Sequence, residues 1–556
     1  MREAITNKIY WWVSGALLAV YLLIVYQNAV NVPQYDDFVV LLNFLSEFIQ
    51  SASFSEKFSL ITSQHNEHRL VFTRLLVLLC YCITGKVSLS AFIIISNLFL
   101  LGVSLLFLMY VKSKKYAPMA MLLIVALLFN GQNFQTSTWA MAGLANIGTL
   151  LLAMLSIYLV SYTSTSANNF FIAGLALAAA TIFSNGNGLC LLPSLSLSLL
   201  LQKRKKELIW FVLLIGAAAA CYFIGYKPMA HKTSLLDLAL TSHVLAVNFF
   251  NFIGCNLWLP SLKFISFLWG VFIFLTYLLA AYQKYYKKNI AWFSFFTFML
   301  LTAAAVALNR SDGEVGPLRY RIYGCMFSIL TVIFYVENRD FLHIKYFRLI
   351  VAPIVAFSIF STLFYYDKVR TTAEFQKMST YSWRRSKDGL AAFFVSKDSL
   401  LLAKAEALGV YAMPKIPLSQ MASKVEANDK EWRDLSSPIQ CGVDYITEQD
   451  ELVVIKGWVY HEVTAANFMN ISLWLLGDDE KVKVSPYAGH RYHIADDVVK
   501  ISCEFFAVIP KAAIPPGSYE LGVELQRRYI IWSAKTFSRN TGIQVTWPPE
   551  RVGETL

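Results

Sequence analysis

The feature that most restricts this chain is a succession of apolar runs that fills the sequence as far as Tyr366 and is broken by short clusters of lysine and arginine. Roughly twenty apolar residues of helix cross a hydrocarbon core, and inside it each backbone N–H and C=O must be paired within the protein. A polytopic α-helical membrane protein is therefore expected. The composition agrees: of 556 residues 56% are hydrophobic and only 15% charged, and the mean hydropathy of +0.50 excludes an ordinary soluble enzyme. Past Tyr366, charged residues, prolines and alternating patterns take over. This predicts a transmembrane domain over 1–366, a linker with helical pieces over 367–440 and a β-sandwich over 441–556.

The net charge of +12 comes mostly from clusters between apolar runs. Membrane topology explains them more simply than nucleic acid does, and no nucleic-acid partner is expected. Of the eight cysteines, Cys80, Cys82, Cys190, Cys221, Cys255 and Cys325 fall in apolar stretches, where a thiol serves as a small hydrophobe. Only Cys441 and Cys503 are candidates for a disulfide in the C-terminal domain, and sequence does not give their separation. Arg2 and Lys8 ahead of the run 10–30 look like a signal sequence, but the run is long and no small-residue cleavage site follows. It is expected to stay as a first span, with the N-terminus in the cytoplasm.

Positive charges mark the cytoplasmic side, and they decide the threading. Residues 35–69 follow the first span and face outside. The next run, 70–84, is shorter than a span and carries Arg74 in its middle. If it crossed, Lys112, Lys114, Lys115 and every later cluster would be inverted. Lying in the interface as an amphipathic helix, it leaves 87–111 as the second span and those lysines inside. Further spans are expected at 117–130, 143–162, 170–183, 189–201, 208–226, 264–282, 292–308, 322–335 and 349–366, eleven in all. Lys203-Arg204-Lys205-Lys206 is the strongest inside signal, another interfacial helix falls within 231–258, and the C-terminal domain is outside.

This threading puts the unusual polar segments on one side: Asp36 and Asp37, His65 to Arg69, 132–139, 184–187 and 309–321. Asp37 suits the N-cap of a helix beginning at Phe38. Asp36 beside it repels it, which raises one carboxyl pKa and fits proton abstraction. His65 and His68 are three apart, not the HExxH spacing; a metal set of His65, Glu67 and His68 is the weaker reading beside anchoring of an interfacial helix. Trp139 reads equally as membrane-belt aromatic, and Asn185-Gly186-Asn187-Gly188 as a turn. Arg310, Arg319 and Arg321 lie outside, against the charge rule, where a guanidinium fork suits a phosphate. Ion pairing with Asp312 or Glu314 is the alternative.

The acidic pair soon after the first span, the segment His65-Asn66-Glu67-His68-Arg69 and the short run 70–84 together resemble the first external loop of the GT-C class of integral-membrane glycosyltransferases. The resemblance covers roughly 10–366. It is most similar to bacterial enzymes that decorate O-antigen and other surface polysaccharides; the HPP pattern of protein O-mannosyltransferases and the WWD-like sequence of oligosaccharyltransferases are missing. The resemblance implies an inverting transfer from a polyprenyl-phosphate-linked sugar to a lipid-linked polysaccharide acceptor, at the outer face of a bacterial inner membrane. By match to the acidic pair, Asp36 is the implied base and Asp37 orients the acceptor or caps the helix. Arg319 and Arg321, backed by Arg69 and Arg310, would hold the donor phosphate. His65, Asn66, Glu67, His68, Gln135, Trp139, Asn185 and Tyr320 would bind sugar or acceptor. Arginines supply the positive charge, so neither metal nor other cofactor is expected.

In the C-terminal domain a helix is expected at 399–410 and strands at 451–460, 470–476, 503–509 and 518–524, with Pro515-Pro516-Gly517 as a turn. Trp458, Trp474, Tyr487, Tyr492 and Trp532 either fill the core or stack on sugar rings, and His490, Arg491, His493 and Asp496 form a polar cluster without an assigned role. Two other functions fit the same features: a transporter or flippase for polyprenyl-linked sugars, which usually shows repeated halves and midplane charges, and a polysaccharide polymerase.

Overall fold

The computed structural model describes residues 2–111, 117–162, 168–227, 242–257, 263–309, 318–338, 344–386, 396–417, 423–427, 439–449, 451–461, 471–477, 481–495, 498–525 and 529–538. The chain divides into two compact units, one of Met1–Ala29 and Val39–Val369, the other of Val30–Phe38 and Arg370–Leu556.

The first unit is helical: α1 (Arg2–Asn28), α2 (Phe44–Gln50), α3 (Phe54–Thr62), α4 (Val71–Thr84), α5 (Leu89–Tyr110), α6 (Ala117–Leu128), α7 (Phe134–Thr138), α8 (Ala140–Tyr162), α9 (Asn168–Ile182), α10 (Leu191–Leu201), α11 (Lys205–Phe223), α12 (Ser242–Ile253), α13 (Lys263–Tyr282), α14 (Ile290–Asn309), α15 (Arg321–Glu337) and the start of α16 (Ile344–Ser386). Among the described residues six helices, α1, α5, α8, α11, α13 and α14, are long and apolar enough to cross a membrane. A seventh crossing arises if α6 and the segment Gly131–Thr138 act as one span bent by 46°. The protein is therefore embedded in a membrane through several apolar helices. Stretches expected as spans at 170–183 and 189–201 form the shorter apolar helices α9 and α10, and that at 322–335 forms the 17-residue α15.

Helices α8 and α14 run through the middle of this unit and are mostly buried. Trp12, Leu23, Trp210, Leu213, Phe264 and Leu268 on α1, α11 and α13 are exposed, an apolar surface that water does not match and lipid does. Local signals set the ends. Ser53 and Glu56 form a reciprocal capping box on α3, Ser88 caps α5 by accepting from Ala91 N–H at 3.2 Å, and α4 stops at Gly85 with φ +71°. Helix α4, only 14 residues long, buries Thr73, Arg74 and Val77 and exposes Leu75, Leu79 and Ile83. Arg74 in its middle donates to the carbonyls of Ile61 (3.1 Å) and Ser63 (2.6 Å) near the end of α3, where the helix dipole favours a cation.

The second unit combines the C-terminal part of α16, α17 (Ser396–Ala407) and two antiparallel sheets. The first sheet is ordered β11 (Tyr529–Ser538), β10 (Ser518–Leu525), β6 (Ile471–Leu476), β7 (Lys481–Ser485), β3 (Lys424–Ala427). The second is ordered β4 (Ile439–Gln449), β5 (Leu452–His461), β9 (Val498–Pro510), β8 (Tyr487–Ala495). Alternation decides which side chains meet. Val453, Ile455, Phe505, Ala507 and Ile509 join Leu473, Leu475, Val484, Leu521 and Val523 of the other sheet in one core. The opposite face of β5 and β9 presents Val454, Phe506 and Val508 to Met378 and Tyr381 of α16. On that same face Lys456 Nζ, buried, meets Glu504 Oε1 at 3.1 Å and Ser382 Oγ at 3.0 Å.

Cys441 and Cys503 are unpaired thiols. Cys441 opposes Val459, and Val459 opposes Cys503, so one strand separates them. Two strand spacings make roughly 9–10 Å, beyond the reach of about 7 Å for a disulfide. Trp474 is a core residue, 1% exposed, with Nε1 donating to Glu524 Oε2 at 2.9 Å. Trp458 and Tyr487 are half-buried. The side chains of Tyr492, Trp532, His490, Arg491 and His493, and all of Asp496, lie outside the described residues.

Candidate functional site

In the first unit the expected recognition segment folds as a two-stranded hairpin, β1 (Gln64–His65) and β2 (His68–Arg69), with Gln64 opposite Arg69 and His65 opposite His68. The turn places Asn66 at φ +50°, a left-handed conformation that asparagine tolerates better than most residues. Gln64 exchanges two hydrogen bonds with Lys227: its Nε2 donates to the carbonyl and its Oε1 accepts from the N–H. Tyr222 Oη donates to the Glu67 carbonyl at 2.9 Å.

Arg69 has a role that differs from phosphate binding. Its guanidinium is buried, with Nε donating to the Tyr222 carbonyl at 2.6 Å and the terminal nitrogens donating to the carbonyls of Thr62 and Ile224. Those carbonyls belong to the C-terminal turn of α3 and to the C-terminal turn of α11 and the residue after it. Such groups lack helical partners, so the guanidinium satisfies three of them and fastens the hairpin.

His68 connects this hairpin to the loop before α10. Its Nδ1 accepts from Gly186 N–H at 3.1 Å, which places the ring proton of the neutral imidazole on Nε2. A Cβ at Gly186 would stand 2.6 Å from that Nδ1, and one at Gly188 would stand 2.0 Å from the Thr181 carbonyl oxygen. Both glycines are there because the loop passes so close to its neighbours. Asn185 Oδ1 accepts from Gly186 N–H at 2.8 Å and caps the turn Gly186–Cys190; its carbonyl is used locally. Asn187 Nδ2 donates to Tyr323 Oη at 3.4 Å, Tyr323 Oη to Asn146 Oδ1 at 3.1 Å, and Asn146 Nδ2 to the Ala142 carbonyl at 2.8 Å. Residues of α8, the loop before α10 and α15 thus share one buried polar chain. Sequence reasoning missed Asn146 and Tyr323 because both lie inside apolar runs.

Of the three arginines, Arg310 lies outside the described residues, as do Asp312 and Glu314. Arg319 stacks on Tyr320, 5.3 Å from the ring centroid, and that ring lies 6.3 Å from that of Tyr323. Among the described residues Arg319 has neither ion pair nor hydrogen bond. Arg321 is buried, donates to Tyr365 Oη and covers the Tyr365 ring at 5.2 Å. Tyr365 stacks on Phe134 at 5.8 Å, and Lys368 Nζ stands 5.7 Å from the Phe134 centroid. Packing around Lys368 lowers its ammonium pKa, and the charge of Arg321 lowers it further. Lys368 makes no ion pair among the described residues. It is a second cation beside Arg321 in this aromatic cluster, hidden in the sequence because it lies two residues past the last apolar run.

Gln135 is half-buried. Trp139 is 6% exposed, so its ring is packing material and neither a membrane-belt aromatic nor an open stacking platform. Among the described residues no group of three or more His, Cys, Asp or Glu gathers as a metal set.

The acidic pair belongs to the second unit, in Val30–Phe38. Tyr35 has φ +47°, a costly conformation for a bulky residue, and a π-helix, Phe38–Asn43, begins directly after Asp37. Asp37 is 1% exposed. Its Oδ2 accepts from Gln34 N–H at 3.0 Å while its own N–H donates to the Gln34 carbonyl at 2.9 Å. The carboxylate thus turns back to close the loop that holds the pair, and Asp36 is left half-buried. Tyr411 secures the base of this loop: Oη donates to the Asn31 carbonyl at 2.6 Å. Burial, Glu406 and Asp37, in that order, hold the Tyr411 hydroxyl well above the ordinary tyrosine pKa. Glu406 is itself held by Trp383 Nε1 at 2.8 Å and Met413 N–H at 3.2 Å.

No protein-family model matches the chain, and neither the curated proteins nor the solved structures contain a detectable match to it.

Proposed function

We propose that this protein is an inverting membrane glycosyltransferase that moves a sugar from a polyprenyl-phosphate carrier to a lipid-linked, O-antigen-like polysaccharide. In this reading it is a GT-C-like enzyme of a bacterial inner membrane, with eleven spans, a cytoplasmic N-terminus and the two C-terminal sheets as a periplasmic β-sandwich. The observation that carries the reading is the meeting of the Gln64–Arg69 hairpin, the Asn185–Gly188 loop and Tyr320–Tyr323. They gather hydroxyl-binding side chains beside Arg319 in an otherwise apolar helical unit. A ligand that is polar and anionic at one end and apolar at the other matches that combination.

Asp36 is the base in this scheme. It takes the acceptor hydroxyl proton as that oxygen attacks the anomeric carbon, and the bond from the anomeric carbon to the phosphate oxygen breaks. Arg319, Arg321 and Lys368 stabilise the charge that builds on the leaving phosphate. Asp37 holds the loop, Arg69 holds the hairpin, and Glu67 and His68 face sugar hydroxyls.

The test replaces Asp36→Asn and measures transfer from a synthetic polyprenyl-phosphate sugar by the purified protein in lipid. A loss of about a hundredfold or more with unchanged thermal stability supports the assignment. Unchanged transfer overturns it.

A further inference from the structure

The polar chain from Asn187 to Ala142 has a direction, and the direction leaves one atom unmet. Asn146 Nδ2 donates to the Ala142 carbonyl within its own helix at 2.8 Å, so its amide turns Oδ1 toward Tyr323. Tyr323 Oη donates its single proton to that oxygen at 3.1 Å, and what Tyr323 then offers Asn187 is a lone pair. Asn187 meets it with Nδ2 at 3.4 Å. The other half of the same amide, Asn187 Oδ1, is buried and has no hydrogen-bond donor among the described residues. Rotating the amide by half a turn does not help, because it would set oxygen against a hydroxyl whose proton is already committed. An acceptor with fixed position and no donor is costly to leave unmet. The same loop carries Gly186, bonded to His68, and Tyr323 neighbours the Tyr320 ring on which Arg319 lies.

We propose that Asn187 is a specificity-determining residue whose Oδ1 accepts a hydrogen bond from one hydroxyl of the sugar, with Tyr323 and Asn146 fixing its orientation. This rests on the lipid-linked-sugar reading above. A hydrogen bond from that hydroxyl relieves the acceptor left unmet among the described residues. A site built to bond a hydroxyl rejects the analogue that lacks it far better than an apolar pocket rejects a methylene, because the buried group is then left unpaired.

The experiment measures binding of synthetic polyprenyl-phosphate glucose, galactose and mannose to the full-length protein in lipid, followed by each monodeoxy form of the hexose that binds. Three proteins are compared: the unaltered protein, Asn187→Ala and Tyr323→Phe. The unaltered protein is expected to bind one monodeoxy form about tenfold or more weakly than the parent. Asn187→Ala is expected to bind the parent and that form equally, while Tyr323→Phe, which frees the amide to turn, keeps only part of the difference. If none of the three hexoses binds to the unaltered protein, the lipid-linked-sugar reading falls and this proposal with it. If a hexose binds but all its deoxy forms bind equally, or Asn187→Ala keeps the original pattern, this proposal alone is overturned. A uniform loss of binding across the panel in Asn187→Ala marks a merely structural residue and also overturns it.

Discussion

Tyr411 Oη donates to the Asn31 carbonyl at 2.6 Å, across 380 residues of sequence. The acceptor lies five residues before Asp36, so the loop carrying the proposed base is tied at its foot by a residue from the other end of the chain. Tyr411→Phe keeps the buried ring and removes its hydrogen bond to the Asn31 carbonyl. A net stability loss of about 1 kcal/mol is expected, with sugar transfer lowered about five- to tenfold as Asp36 loses its fixed position. Thermal unfolding and transfer rates measured on the same preparation check both.

Arg69→Lys distinguishes a fastener from a phosphate ligand. An ammonium cannot reproduce the planar fork that reaches the carbonyls of Thr62, Tyr222 and Ile224. A loss of about 2–4 kcal/mol is expected, since buried carbonyls are left without donors. Faster amide exchange in 62–70 and 222–227 is its signature. Arg319→Lys, with no carbonyl to hold, is expected to leave that exchange unchanged and to weaken binding of the donor phosphate.

Gly186→Ala tests the contact between hairpin and loop. The added methyl needs space 2.6 Å from His68 Nδ1, so the imidazole has to leave the Gly186 N–H. Reduced sugar transfer with intact membrane insertion is expected. The double variant Gly186→Ala with His68→Ala is expected to be no worse than the first alone, which a mutant cycle of transfer rates measures.

The two thiols of the second unit give a pH prediction. Burial pushes Cys441 up to about 11 and Cys503 up to about 12, the latter with help from the charge of Glu504, against an ordinary value of 9.0. Below about pH 9 both are neutral folded or unfolded and contribute no slope. Above it the unfolded chain ionises first, so folding stability falls as pH rises toward 11 or 12, by about 1.4 kcal/mol per unit per thiol. Hydrogen exchange of β4 and β9 from pH 8 to 10.5 is expected to show this loss. Cys503→Ala is expected to reduce its slope, and at pH 7.5 neither thiol is expected to react with alkylating reagents until the sheets unfold.

Which parts were legible follows from where each signal resides. Long apolar helices announce themselves because hydropathy is a local property, and so do the strands 452–461 and 518–525, where alternation is local too. Partners that are main-chain atoms leave no trace in the sequence. Arg69 reads the same whether it faces a phosphate or the carbonyls of Thr62 and Ile224, and only the fold decides between them. The acidic pair stands out by composition, but its anchor does not, since Tyr411 lies in a stretch that reads as linker. Asn146 and Tyr323 were masked by the apolar residues around them, although a lone asparagine inside a membrane run is a signal that such a partner exists.

The face of β5 and β9 that meets α16 has a practical consequence for anyone who wishes to study the sheets alone. A fragment beginning at 441 would expose Val454, Phe506 and Val508 to water and would deprive Lys456 of its bond to Ser382. A fragment that keeps this face covered has to start near Arg370, and even that one lacks Val30–Phe38 of the same unit; what reads as a tether between two domains is a wall of the second one.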